Sequence, residues 1–139
     1  MPDSLPDDLP DGFILQEQAD PAELMIGPFY KHREKPLSLF KPEQRHSNLM
    51  EIVHGGVLMT FADFTLCAGA TTVTGDADCV TVNLNCNFLA GAMLDHWLAG
   101  EARITRTTHR LVFVDGTLSN EGEPVVTFSG IGKRIRKES

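Results

Sequence analysis

The sequence predicts an α+β fold in which an antiparallel β-sheet wraps around one long central helix. Segment 55–73 is too long for a strand and apolar on all sides, which is typical of a buried helix. Four strand-like runs follow it at 80–88, 96–106, 110–119 and 124–134. Their connections are short enough for hairpins, so the runs indicate an antiparallel meander.

The boundaries and faces of the first two elements can be predicted from local pattern. Gly75-Asp76 is expected to end the helix. In the strand at 80–88, apolar residues alternate strictly with Thr81 and three asparagines. This period of two predicts one apolar face, with Val80 and Val82 on it, and one polar face.

Upstream of the helix the patterns are weaker. Residues 1–11 repeat Pro and Asp and are expected to be disordered or loosely docked. A proline at the first turn predicts a short helix over 21–25. Residues 37–45 indicate a weak strand that would complete the sheet. The predicted organisation is an acidic, proline-rich tail over 1–20 and a single domain over 21–139.

Composition limits the classes of partner. The formal net charge of the 139 residues is −7, and the first thirty residues hold seven acids with no Lys or Arg. The other twelve acids match the twelve basic residues, so no nucleic-acid partner is expected. Three cysteines without a CxxC pair favour a reducing cytoplasm. The N-terminus lacks a signal-peptide pattern, and the carboxylate within 55–73 argues against a membrane span.

Asp63 is the only charged residue between His54 and Asp76. Burial of a lone carboxylate in apolar surroundings is costly because desolvation disfavours its ionised form. The apolar run also begins with His54-Gly55-Gly56, where a helix start would offer unpaired N–H groups to a substrate oxygen. These features suggest a reaction site with an oxyanion hole, although the glycines could serve only close packing of the helix on the sheet.

The distance between the two features has a consequence for assembly. Gly55 and Asp63 are eight residues apart, so along a helix they are separated by about 12 Å. One carbonyl group cannot contact both residues of one chain. If both act on one bond, Asp63 must come from a second chain, and the sequence therefore predicts a dimer with its reaction centre at the interface.

Several motifs resemble the hotdog-fold acyl-CoA thioesterases of the phenylacetate-catabolism (PaaI-like) group. They are His54-Gly55-Gly56, the Thr60-Phe61-Ala62-Asp63 that follows, and Asn48 six residues before His54. The strand residues Thr81-Val82-Asn83-Leu84-Asn85 and Asn87-Phe88-Leu89 also match. The resemblance covers about residues 45–135. It implies a hotdog fold, hydrolysis of acyl-CoA thioesters and a homotetramer made of two dimers.

Carried over by position, the resemblance also implies residue roles. Asp63 would be a general base or a nucleophile, and the Gly55 N–H would polarise the carbonyl. Asn48 and His54 would orient the thioester or the water, and Thr81 would hold water near Asp63. This set needs no metal and no cofactor, because coenzyme A is part of the substrate. Contacts to substrate or CoA phosphates are expected at Gly56, Asn83, Phe88, Arg106, His109, Arg110 and Lys133.

Other functions remain open. The five histidines have no close ligand spacing, which disfavours a metal enzyme. A cysteine hydrolase built on Cys67 lacks a partnered histidine. A hotdog-fold hydratase would pair a His and an acid on one helix face, whereas His54 and Asp63 are nine residues apart. A non-catalytic acyl-CoA-binding sensor would share the fold but would not need Asp63.

Overall fold

The computed structural model describes residues 5–16 and 20–137, which form one seven-stranded antiparallel sheet around a 20-residue helix. The strand order is β1-β2-β3-β5-β6-β7-β4, so β1 and β4 are the two edges. The elements are β1 Phe13–Leu15, α1 Pro21–Ile26, β2 Phe29–His32, β3 Leu37–Phe40, a 3₁₀ turn Gln44–His46, α2 Gly55–Thr74, β4 Asp78–Phe88, β5 Leu98–Thr107, β6 Leu111–Asn120 and β7 Glu123–Ile135.

Helix α2 fills the concave side of the sheet. Phe61 is fully buried, and its ring centroid lies 5.2 Å from that of Phe29 and 5.5 Å from that of Phe40. Gly75 ends the helix in the left-handed conformation, as predicted, and its N–H bonds to Thr71. By length and hydropathy α2 could cross a membrane, but half of that window is buried within the protein. The predicted hotdog arrangement of a sheet around one helix is confirmed.

Strand β4 departs from strict alternation. The pairing with β7 is irregular between Thr81 and Asn83, so a β-bulge leaves Val82 without a partner residue. Before the bulge, Cys79 and Thr81 face α2, whereas Val80 and Val82 are 53% and 59% exposed. The prediction that Val80 and Val82 lie on the buried apolar face is therefore wrong, because one extra residue reverses the alternation.

The sheet begins earlier in the chain than expected. β1 pairs with β2, and β2 pairs with β3, so one strand of the sheet, β1, precedes residue 21. In the segment expected to be disordered or loosely docked, Asp8 bonds to the body of the domain. Asp8 Oδ2 accepts hydrogen bonds from Lys41 Nζ at 2.6 Å and from Trp97 Nε1 at 3.1 Å. Residues 1–4 of that segment lie outside the described residues.

The short helix begins where it was predicted, whereas the weak strand is shorter than predicted. α1 begins at Pro21, and Asp20 caps it by accepting a hydrogen bond from the Glu23 N–H at 2.9 Å. The strand expected over 37–45 ends at Phe40. The chain then turns through the 3₁₀ segment, whose His46 is buried against the ring of Phe40.

An ion pair ties the end of α2 to β7. Arg134 donates from Nε to Asp76 Oδ2 at 2.8 Å and from Nη2 to Oδ1 at 3.2 Å. Its Nη1 donates to the Thr108 carbonyl oxygen at 2.7 Å. The two side chains are only 15% and 8% exposed. Arg134 is thus engaged in holding three elements together and is not available to a substrate phosphate.

We expect Arg134→Ala to lower the midpoint of thermal unfolding, because it leaves the nearly buried Asp76 carboxylate unpaired. The hydrogen bond from Arg134 lowers the pKa of Asp76. The ion pair between Asp76 and Arg134 therefore stabilises the fold fully above about pH 4, the ordinary pKa range of an unfolded aspartate. This stabilisation is lost as the pH falls through the lowered pKa of Asp76. Thermal melts between pH 7 and pH 2 should show a smaller acid destabilisation for Asp76→Asn than for wild type; equal losses would contradict this role.

Candidate functional site

Within the described part of the chain, the start of α2 leaves a single backbone N–H donor without an acceptor. His54 precedes the helix in an extended conformation, and its Nδ1 accepts a hydrogen bond from the Gly56 N–H at 2.9 Å. The N–H groups of Val57 and Leu58 both bond to the His54 carbonyl oxygen. Of the first four N–H groups, only that of Gly55 has no acceptor among residues 5–16 and 20–137. The Gly56 donor that the sequence also offered is occupied.

Asn48 shapes the turn that leads into this helix. Its Oδ1 accepts hydrogen bonds from the N–H groups of Met50 at 2.8 Å and Ile52 at 3.4 Å. Its side-chain amide nitrogen bonds to no described residue and remains a possible donor to a ligand. Asn48 therefore has the structural role of a turn cap, and only one half of its side chain could orient a substrate.

Asp63 is half-buried on α2, and its carboxylate is held from one side only. The Thr81 hydroxyl of β4 donates to Asp63 Oδ1. Within the described part of the chain, Oδ2 has no hydrogen-bond partner and Asp63 belongs to no ion pair. One carboxylate oxygen is thus fixed, and the other is free to accept a proton or attack a carbon atom. The predicted proximity of Thr81 to Asp63 is present within one chain.

The ring of Phe88, at the end of β4, lies beside the start of α2. A methyl group placed on Gly55 would lie 3.6 Å from its ring, which is ordinary van der Waals contact. Phe88 is nevertheless 50% exposed, so its ring has a free side for an apolar group. Asn83 is exposed beyond the bulge and bonds to Asn85, and it is not part of this cluster.

One chain thus presents two separate half-sites. The first is the Gly55 N–H with His54 and Phe88, and the second is Asp63 with Thr81. Because Gly55 and Asp63 lie on the same continuous helix, they are separated by about 12 Å along its axis. A single chain therefore does not bring the Gly55 N–H and the Asp63 carboxylate to one carbonyl group.

The basic residues expected at CoA phosphates lie near the other end of α2. Arg106, His109, Arg110 and Lys133 are all exposed around the β5–β6 turn and the end of β7. That region contacts the C-terminal end of the helix through Arg134 and Asp76. It is separated from Gly55 of the same chain by nearly the full helix, about 30 Å. The structure therefore does not bring these residues to the Gly55 half-site of their own chain.

Two of the cavities differ in how close their lining is to Asp63. The larger, about 460 Å³, is lined by residues that include Tyr30 and Trp97 but not Asp63. A second cavity of about 330 Å³ borders α2 and is lined by Phe64 and Cys67, which are neighbours of Asp63 on the helix. Among residues 5–16 and 20–137, no three His, Cys, Asp or Glu side chains cluster as metal ligands.

Two residues near Asp63 were not predicted in their observed roles. Burial raises the pKa of Glu23 on α1 to about 7, with smaller contributions from Asp20 and then from Asp63, so Glu23 lies within electrostatic reach of the site. The sulfur of Cys67 lies 3.3 Å from Thr81 Oγ1. The four-residue spacing of Asp63 and Cys67 could have indicated a shared helix face, but no local pattern points to Glu23.

Comparisons with known proteins identify the family and the fold. The family profile described as the thioesterase superfamily matches residues 50–127. A Pseudomonas aeruginosa protein provisionally named an esterase is 28% identical over 127 residues, covering 88% of this chain and 95% of that protein. The fold is similar to that of a Streptococcus mutans protein bound to acetyl CoA (TM-score 0.67, 20% identity, 78% and 89% coverage). It is also similar to Escherichia coli PaaI from the phenylacetic acid degradation operon (TM-score 0.64, 21% identity, 78% and 76% coverage).

Proposed function

The chain belongs to the thioesterase superfamily, and on that premise we propose that it hydrolyses an acyl-CoA thioester to a carboxylic acid and free CoA. The observation that carries this proposal is the half-buried Asp63, whose Oδ1 is fixed by Thr81 while Oδ2 has no partner among the described residues. Thioester hydrolysis needs a base or nucleophile and an oxyanion donor. The Gly55 N–H, which has no acceptor among the described residues, is suited to the second role.

Two chemical routes use the same carboxylate. As a general base, Asp63 takes a proton from water while the water oxygen bonds to the thioester carbon. As a nucleophile, Asp63 bonds to that carbon itself and water later cleaves the anhydride. In both routes the C–S bond breaks, its electron pair leaves with sulfur, and the CoA thiolate is then protonated. The Gly55 N–H stabilises the negative charge that develops on the carbonyl oxygen.

We further propose that the working site combines Asp63 of one chain with the Gly55 N–H of a second. The separation of the two half-sites supports this arrangement. Strand β4 supports it as well, because it is a long edge strand with Val80 and Val82 exposed on it. Such an edge favours pairing with another chain. A homodimer would complete two sites, and a homotetramer of two dimers remains the proposed assembly.

The remaining roles follow from position. His54, which accepts at Nδ1, carries its proton on Nε2 and can donate to the substrate. Phe88 would contact the acyl group or pantetheine. The exposed basic residues Arg106, His109, Arg110 and Lys133 would meet CoA phosphates from another chain, and the acetyl CoA bound to the Streptococcus mutans neighbour supports a CoA ligand. No cofactor is needed, and a cytoplasmic location is proposed.

The direct test is a panel of aromatic and fatty acyl-CoA thioesters assayed for release of free thiol. We expect turnover of at least one class, and the preferred class would identify the acyl group. If the protein binds several acyl-CoA thioesters without releasing thiol from any of them, the acyl-CoA-binding sensor is the correct function. Sedimentation of the same preparation tests the assembly, because a strictly monomeric active protein would contradict the shared site.

A further inference from the structure

We propose that Cys67 is a positioning residue whose thiol holds Thr81 and, through Thr81, the carboxylate of Asp63, an inference that rests on the proposed function of Asp63. The three side chains form a connected line from α2 to β4 and back. Cys67 Sγ lies 3.3 Å from Thr81 Oγ1, and Thr81 in turn donates to Asp63 Oδ1. Asp63 and Cys67 are four residues apart and therefore lie on one face of the helix.

The number of available hydrogens determines which side chain donates and which accepts in each of these two contacts. A threonine hydroxyl has one hydrogen, and an ionised carboxylate can only accept. Because the Thr81 hydrogen is given to Asp63, Thr81 can only accept from the third member. Cys67 must therefore donate its S–H to Thr81 Oγ1. Each hydrogen bond in such a chain polarises the next, so the thiol strengthens the bond that Thr81 makes to the carboxylate.

The thiol is suited to remain a donor. The neighbouring Cys79 side chain and burial both raise the pKa of Cys67 well above its usual range. The sulfur thus keeps its proton at neutral pH. The same protonation argues against Cys67 as a nucleophile, since the reactive form of cysteine is the thiolate.

The bulge in β4 explains why this contact exists. Without the bulge, Thr81 and Leu84 are three residues apart in a regular strand and would lie on its opposite faces. With it, Thr81 points to α2 while Leu84 and Cys86 still pack against the core. The bulge therefore places the Thr81 hydroxyl against the face of α2 that carries Asp63 and Cys67. The result is one carboxylate oxygen held in place and the other left for the substrate or water.

The test compares Cys67→Ala, which removes the donor, with Cys67→Ser, which retains one. We expect Cys67→Ala to lower kcat roughly 3–10-fold, the worth of one net hydrogen bond, with KM nearly unchanged. Cys67→Ser should restore kcat to near the wild-type value. Cys86→Ala is the matched control, since Cys86 is a half-buried cysteine of β4 that does not bond to Thr81. Equal kcat for wild type and Cys67→Ala would overturn the proposal.

A second readout does not depend on turnover. The infrared S–H stretching band of Cys67 can be isolated as the difference between wild type and Cys67→Ala. In a Thr81→Val background we expect this band to move toward the frequency of a free thiol. A band that stays unchanged would show that Cys67 does not donate to Thr81. If instead the wild-type protein releases no thiol from any acyl-CoA, the proposed function fails while the infrared result still decides the contact.

Discussion

Asp63→Asn is expected to lower kcat for acyl-CoA hydrolysis roughly 10²–10⁴-fold, the range for loss of a positioned acid–base group. Asparagine has the size of aspartate and keeps a carbonyl oxygen that can accept from Thr81. It lacks the charged oxygen that would take a proton from water or attack the thioester carbon. The fold should therefore be retained and the chemistry lost, and thiol release together with a thermal melt measures both.

Two further measurements separate loss of the chemical step from a general defect: the KM of Asp63→Asn and the turnover of a control variant at Asp78. KM should change little, because the proposed contacts to CoA lie on other residues. Asp78→Asn is the matched control, since Asp78 lies at the start of β4 and its Oδ1 bonds to the neighbouring Cys79 N–H. It should retain near-normal turnover. Turnover of Asp63→Asn close to wild type would show that the carboxylate is neither base nor nucleophile.

The long elements of the fold could be predicted because their sequence patterns are local. Twenty residues of α2 and the hairpin strands contain enough repeats of their period to be recognised. β1 and β2, three and four residues long, are too short to show a period; β3 is also four residues long and was predicted only as a weak strand with the wrong end. Strands that short are defined by the partner with which they pair, and this partner is not visible in the local sequence.

The candidate site could be predicted only in part, for related reasons. Asp63 is conspicuous because it is a lone charge in an apolar run. The bulge at Val82 has no such signal, since valine is as suitable in a regular strand as at an irregularity. Cys67 contacts Thr81 across fourteen residues of sequence, a separation that only the folded chain closes.

The choice between Gly55 and Gly56 as the donor also required the structure. Both glycines lie in the first turn of α2, and each offers a backbone N–H group. The ring of His54 bonds to one of the two N–H groups and leaves the other. Capping by His54 therefore leaves the Gly55 N–H as the candidate oxyanion donor. A rotamer of His54 that did not bond to the Gly56 N–H would leave both N–H groups available.

Replacing Gly55 with proline should remove that donor while preserving the helix, and we expect it to lower kcat roughly 10²–10³-fold, as loss of one oxyanion donor does. Gly55 is the first residue of α2, a position where proline is tolerated. His54 has φ −60° and ψ 136°, a conformation that suits a residue before proline. Gly55→Ala keeps the N–H and meets only the ring of Phe88, so it is the control for the added side chain.

The same variant can show whether the two half-sites belong to different chains. In a mixed dimer of Asp63→Asn and Gly55→Pro chains, one site carries both substitutions and the other carries neither. If the site is shared between subunits, the mixed dimer should regain about half of the wild-type activity although each parent dimer is nearly inactive. If both groups act within one chain, every site in the mixture is damaged. A purified mixed dimer with no more activity than its parents would therefore exclude the shared site.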